Sequence, residues 1–102
     1  MTKGYIIFTE AVHDAAALEA YAAAAGPLVV AAGGNALIAG PPAEVPEGEW
    51  HGDTTVVLEF DSVEAAKTWY HSDEYQSLAQ RRQAAATTNV AIVAGFMFPS
   101  GG

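Results

Sequence analysis

The sequence predicts an α+β domain in which four strands and two helical regions follow one another in the order βαββαβ. Three observations lead to this prediction: four short runs rich in β-branched and aromatic residues, two segments with helical spacing of apolar residues, and a capping residue before each helical segment. This order is typical of a four-stranded antiparallel sheet with its helices on one face, the ferredoxin-like arrangement.

The first half of the chain carries two predicted strands and one helix. The run KGYIIFTE, residues 3–10, predicts the first strand. Asp14 is placed to cap the helix AAALEAYAAAA, because its carboxylate can accept hydrogen bonds from free amides of the first turn. Gly26-Pro27 is expected to end that helix. NALIAG predicts the second strand, and the Pro- and Gly-rich stretch after it predicts a long loop up to Gly52.

The third strand is the clearest element of the pattern. DTTVVLEF, residues 53–60, places Val56, Leu58 and Phe60 on one face and Glu59 on the other. DSVE then matches a capping box and opens the second helix.

The last third of the chain predicts further helix and a final strand. Helical structure is expected to resume after Ser72 and to run to Ala86, and residues 87–98 predict the fourth strand. We expect one domain over residues 1–98 and a flexible tail over residues 99–102.

Two helices can cover only one face of this sheet. The other face would expose more apolar surface than monomers usually leave in water. We therefore expect a homodimer in which this face packs against a twofold-related copy.

Charge and composition exclude several classes of protein. The chain has 4 basic and 12 acidic side chains, a net charge of −8, and no cysteine. Such a charge repels nucleic acids and anionic membrane surfaces, and a chain without cysteine has no disulfides and no Cys-based metal sites. The sequence contains no run of about 18 consecutive apolar residues, so it predicts no membrane span. The cytoplasm is the expected location.

Several short motifs together resemble the DUF1330 family, a domain family of unknown function. The resemblance extends from Gly4-Tyr5 to Gly95. It rests on Gly33-Gly34, Glu47-Gly48-x-Trp50, Glu59-Phe60, Trp69-Tyr70-x-Ser72-x-Glu74-Tyr75-Gln76 and Arg82.

This resemblance implies membership in the dimeric α+β barrel superfamily, in which each protomer holds a pocket between its sheet and helices. The superfamily includes cofactor-free monooxygenases, lactone isomerases and polyketide cyclases as well as haem enzymes, so the fold alone does not define a reaction. One departure is that the second strand ends in Ala39-Gly40, where relatives often have an arginine before the glycine.

Three side chains are candidates for catalysis. The resemblance selects Arg82, whose guanidinium could hold a carboxylate or enolate; the alternative is a structural ion pair with Glu59 or Glu47. Glu59, among β-branched neighbours, could act as a general base, or could be a glutamate at the sheet rim. His51 follows Trp50 and could transfer protons near neutral pH, or could be a solvated loop histidine.

Four aromatic side chains are candidates for the walls of a substrate pocket: Tyr21, Trp69, Tyr70 and Tyr75. At helical spacing they could equally belong to the core. The histidines show no metal-binding spacing, and Gly33-Gly34 does not open a helix after a strand, so neither a metal nor a nucleotide cofactor is indicated.

These patterns predict a small-molecule-binding protein that could be a cofactor-free enzyme. Its chemistry would be acid/base chemistry of the isomerase, cyclase or monooxygenase type on an apolar or carboxylated metabolite. The alternative is a dimeric ligand-binding or accessory protein without catalytic activity.

Overall fold

A computed structural model describes residues 2–96, and within them it contains four strands and three helices. The strands are β1 (Gly4–Val12), β2 (Asn35–Gly40), β3 (Thr54–Phe60) and β4 (Ala86–Ala94). The helices are α1 (Ala15–Ala31), α2 (Val63–Tyr70) and α3 (Asp73–Ala85). The predicted tail, and positions 97 and 98 of the predicted fourth strand, lie outside the described residues.

The strands form one antiparallel sheet in the order β2-β3-β1-β4. The predicted ferredoxin-like fold is therefore confirmed, with the second helical region divided into α2 and α3. Alternate residues of β1 and β3 are buried beneath the helices, as a period of two requires. The side chains at the centre of this core are Ile6, Phe8, Leu58 and Phe60.

The first helix is longer than predicted. Asp14 caps it as expected, since its Oδ1 accepts a hydrogen bond of 3.0 Å from the Ala17 amide. Gly26-Pro27 does not end it, and α1 continues to Ala31. Pro27 removes one backbone donor, but Ala25 and Val29 on either side of it are buried in the core, and this packing holds the helix together.

Both later helices begin at a serine. The Ser62 hydroxyl accepts from the Ala65 amide at 3.0 Å, and the Ser72 hydroxyl accepts from the Tyr75 amide at 3.2 Å. The predicted DSVE capping box is therefore wrong by one residue, because Ser62 caps α2 in place of Asp61. The polypeptide leaves α3 directly into β4 at Ala86. Because no loop separates them, the C-terminal end of α3 lies beside the start of β4.

The face of the sheet that the helices do not cover is called here the outer face. The strand register places Ile7, Ile38, Val57 and Val93 on it, with Tyr5 opposite both Glu59 and Val93. Ile38 and Val93 remain 52% and 42% exposed. The outer face is thus an apolar surface open to solvent in the single chain.

Two loop glycines with similar backbone angles provide a test of how the β2–β3 loop is anchored. Gly48 has φ 72° with open space around it, whereas a Cβ on Gly52, at φ 80°, would overlap the backbone carbonyl of Glu10. Gly48→Ala should lower the free energy of unfolding by about 1–2 kcal/mol, the cost of a left-handed alanine. Gly52→Ala should lower the free energy of unfolding by more than this, because β1 or the loop must also shift. Urea unfolding measures both, and equal losses would contradict this account.

Candidate functional site

A cavity of about 720 Å³ lies between α1 and the helix-covered face of the sheet. Phe8, Val56 and Leu58 form its floor, and Tyr21 and Trp69 contribute to its walls. Its volume is in the range of small-molecule sites, about 300–1,000 Å³.

The cavity opens at the sheet edge formed by β2. There Ala22 and Gly26 of α1 line one side and Ala36 and Ala39 of β2 the other, and all four are solvent-exposed. Small residues on both sides leave the entrance wide.

One buried carboxyl group lines this largely apolar space. Glu10, the seventh residue of β1, is only 4% exposed and lies on the same face as Phe8. Its direct cross-strand partners are Thr54 and Thr88, so two threonines flank it on that face. Within residues 2–96 its carboxylate makes no hydrogen bond and no ion pair within 4 Å.

Burial raises the pKa of Glu10. The charge of Arg82 opposes this shift, and the carboxylate of Asp53 adds to it. Asp53 is held close by, because its amide donates to the Glu10 carbonyl and its Oδ1 accepts from the Val12 amide. A carboxyl with a raised pKa can take up and return a proton closer to neutral pH than an exposed one.

A hydrogen-bonded chain leads from the core to the cavity wall. Nε of Arg82 donates to the Tyr75 hydroxyl at 3.3 Å, and that hydroxyl lies 2.6 Å from the hydroxyl of Tyr21. Burial raises the pKa of both tyrosines, so both hydroxyls keep their protons. Tyr21 lines the cavity, whereas Tyr75 and Arg82 lie behind it.

Arg82 is buried, but it does not form the structural ion pair that was the alternative to ligand binding. It is 2% exposed and lies on the buried stripe of α3 with Tyr75 and Ala79. Its guanidinium carbon lies 5.3 Å from the centroid of the Phe8 ring. Among the described residues it has no carboxylate within 4 Å, so the expected pair with Glu59 or Glu47 does not form.

Glu59 and His51 lie away from the cavity. Glu59 is on the outer face, where it accepts a hydrogen bond of 3.2 Å from the Tyr5 hydroxyl. His51 Nε2 lies 3.0 Å from the Thr87 carbonyl oxygen at the start of β4. The structure therefore does not bring either of them together with Arg82.

The four aromatic candidates divide into two pairs. Tyr21 and Trp69 line the cavity. Tyr70 and Tyr75 pack behind them, with the rings of Trp69 and Tyr75 4.2 Å apart and those of Tyr70 and Tyr75 5.4 Å apart. The second pair therefore supports the wall without forming it.

Glu10 is the site residue that sequence reasoning missed. A signal existed, because strict alternation in GYIIFTE places it on the face of Ile6 and Phe8. It was included as the last residue of the predicted first strand and was given no role.

Within residues 2–96 no helix is long and apolar enough to cross a bilayer. The same residues contain no group of three or more His, Asp or Glu side chains arranged to hold a metal ion.

Solved structures with the same fold come from several bacteria. RPA0582, a protein of unknown function from Rhodopseudomonas palustris, is 19% identical with a TM-score of 0.77, over 95% of this chain and 85% of that one. SnoaB, a cofactor-independent oxygenase from Streptomyces nogalater, is 12% identical with a TM-score of 0.70, over 97% and 98% of the two chains. A dimeric ferredoxin-like protein of unknown function from Thermobifida fusca is 13% identical with a TM-score of 0.60, over 91% of each chain.

At these identities the similarity shows the fold alone, and no curated protein matches the sequence. The family model of DUF1330, a domain of unknown function, matches residues 3–96. This match spans the sheet, the helices and the cavity, and the chain belongs to the DUF1330 family.

Proposed function

We propose that the protein binds an apolar, uncharged small molecule in the cavity and acts on it as a cofactor-free acid/base enzyme in which Glu10 transfers the proton. The observation that carries this proposal is the buried Glu10 carboxyl, without a hydrogen bond in residues 2–96, on the wall of a largely apolar cavity. A buried carboxylate without partners is costly for stability, as expected of a group kept for chemistry.

The charge of the lining favours an uncharged ligand over a carboxylated one. Glu10, Glu19 and Asp53 contribute to the described lining, and no lysine or arginine does. A carboxylate ligand would enter against these acidic groups, with Arg82 shielded behind Phe8 and Tyr75.

In this proposal the candidate residues from the sequence have different roles from those first expected. Arg82 acts through Tyr75 instead of holding an anion directly. Glu59 and His51 lie outside the cavity, so Glu10 takes the proton-transfer role that the sequence suggested for them. The cofactor-independent oxygenase among the structural neighbours makes a cofactor-free enzyme compatible with this fold.

We also propose that the protein forms a homodimer through the outer face. The exposed Ile38 and Val93 and the apolar residues between them support this. The Thermobifida fusca neighbour is described as dimeric.

A matched pair of alanines on α1 tests the cavity. Ala22 lines it, whereas Ala23 is exposed and does not. With 2-naphthol as a fluorescent probe, Ala22→Phe should weaken binding at least about tenfold, a loss of about 1.4 kcal/mol, because the ring fills the entrance. Ala23→Phe should bind like the wild type. Binding that is absent, or equally affected by both changes, would contradict a ligand site here.

The pH dependence of stability tests the environment of Glu10. A raised native pKa means that the native state holds this proton more tightly than the unfolded state. The contribution of Glu10 to stability is therefore lost as pH rises from about 4.3 through its native pKa. Relative to Glu10→Gln, the wild type should match at pH 3.5 and become less stable by pH 8.

Urea unfolding across this pH range measures the difference, with Glu64→Gln on the exposed side of α2 as the control. The groups that act on Glu10 are Arg82 from α3 and Asp53 before β3. A wild type that gains stability over Glu10→Gln with rising pH would show instead that an ion pair with Arg82 dominates.

A charge on the outer face tests the dimer. Val57 is central in this face, whereas Val30 on α1 is 73% exposed and lies away from it. Native mass spectrometry at micromolar concentration should show a dimer for the wild type and for Val30→Lys. Val57→Lys should be a monomer, because the lysine would be buried in the dimer interface without a partner. A monomeric wild type would contradict the proposal.

A further inference from the structure

Arg82 acts on two of the polar groups that line the cavity, Tyr21 and Glu10. It donates to Tyr75, whose hydroxyl contacts that of Tyr21, and its charge also acts on Glu10. One buried cation therefore influences a hydrogen-bond donor and a proton acceptor that line the same cavity.

Either hydroxyl of the Tyr21–Tyr75 pair can be the donor, and in one of the two arrangements Tyr21 is a donor to the cavity. The Tyr75 oxygen accepts from Arg82, so its proton can be donated to the Tyr21 oxygen 2.6 Å away. The proton of Tyr21 is then available to a ligand. A charged group at the far end of such a chain strengthens every hydrogen bond along it.

Glu10 provides the opposite capacity. Its ionised carboxylate can only accept, and in residues 2–96 nothing donates to it. An apolar ligand in this cavity thus meets a donor at one point and a base at another.

This pairing suits one class of substrate. We infer that the cavity takes apolar cyclic ketones with an acidic C–H next to the carbonyl, and that Glu10 removes that proton while Tyr21 donates a hydrogen bond to the carbonyl oxygen. The inference rests on the proposed function and names its substrate class. Tyr21 and Glu10 are the catalytic residues, and Arg82 and Tyr75 are positioning residues.

The step balances without a further reactant. The Glu10 carboxylate forms an O–H bond as the C–H bond of the ligand breaks, and the freed electron pair becomes the C=C bond of an enolate. The carbonyl π pair moves to the oxygen that faces Tyr21. In D₂O the Glu10 carboxyl exchanges this proton for a solvent deuteron and delivers the deuteron to the same carbon, which gives exchange. Return of the proton to a conjugated carbon gives an isomer instead.

The position of Arg82 also suits the movement of charge. Before the step the negative charge is on Glu10, and after it the charge is on the oxygen beside Tyr21. The charge of Arg82 acts on both Glu10 and Tyr21, so the same cation acts on the negative charge before and after the step. Such preorganised donors contribute about 10²–10³ in rate in enzymes that stabilise oxyanions.

Deuterium exchange into 2-tetralone in D₂O, followed by proton NMR, tests the inference. The wild type should accelerate exchange, Glu10→Gln should lose at least about 100-fold of that acceleration, and Tyr21→Phe about 10–100-fold. Tyr5→Phe on the outer face and Glu64→Gln should exchange at the wild-type rate, and Ala22→Phe should abolish the acceleration by blocking entry.

A second readout separates a hydrogen bond to the ligand from a structural effect. The ¹³C shift of carbonyl-labelled 2-tetralone should move downfield on binding to the wild type, and this shift should be lost with Tyr21→Phe and reduced with Tyr75→Phe. A purely structural role for Tyr21 would change affinity but leave the bound shift in place.

The outcomes distinguish the two proposals. If 2-naphthol binds but exchange of 2-tetralone is not accelerated, or if Glu59→Gln abolishes exchange and Glu10→Gln does not, the ketone inference is overturned while the binding site stands. If neither probe binds, the proposed function itself fails.

Discussion

The structure depends on the burial of one guanidinium group. Arg82 is almost completely removed from water, and a buried charge is tolerated only where its surroundings compensate it. Here α3 supplies the Tyr75 hydroxyl, β1 supplies the Phe8 ring and the nearby charge of Glu10, and α1 supplies Tyr21 through Tyr75. Burial lowers the pKa of Arg82 but the tyrosine oxygens raise it by more, so the group stays charged. These contacts of Arg82 therefore join α1 and α3 to the sheet.

The cavity follows from how α1 is supported. The helix packs mainly against α3 and only sparsely against the edge strand β2. The residues that face each other across the gap are small: Ala22, Ala25 and Gly26 on α1, and Ala36, Ala39 and Gly40 on β2. The alanine-rich composition of α1 thus has a spatial consequence beyond helix propensity, because larger side chains would close the space.

Two glutamates show where sequence reasoning held and where it stopped. Alternation along β3 predicted Glu59 on the face opposite to that of Leu58 and Phe60, and in the structure Glu59 lies on the outer face with Tyr5. The same alternation places Glu10 with Ile6 and Phe8, but a carboxyl at the end of a short strand looks the same whether the strand ends in solvent or under a helix. The burial of Glu10 depends on how the elements pack, with α1 across the cavity and the charge of Arg82 on α3 acting on the carboxyl, and this lies outside the local pattern.

The sequence by itself determined the order of the elements, the cap at Asp14, the two faces of β3 and the family, because these depend on local hydrogen bonding, on side-chain periodicity and on motifs readable in order. Only the tertiary structure decided that α1 continues past Pro27, that Arg82 meets Tyr75 and Phe8 instead of a glutamate, and that Glu10 and Tyr21 share a cavity. These features arise between residues far apart in the chain. The energies that select them, burial of charge and packing of α1 on α3, exist only once the elements have come together.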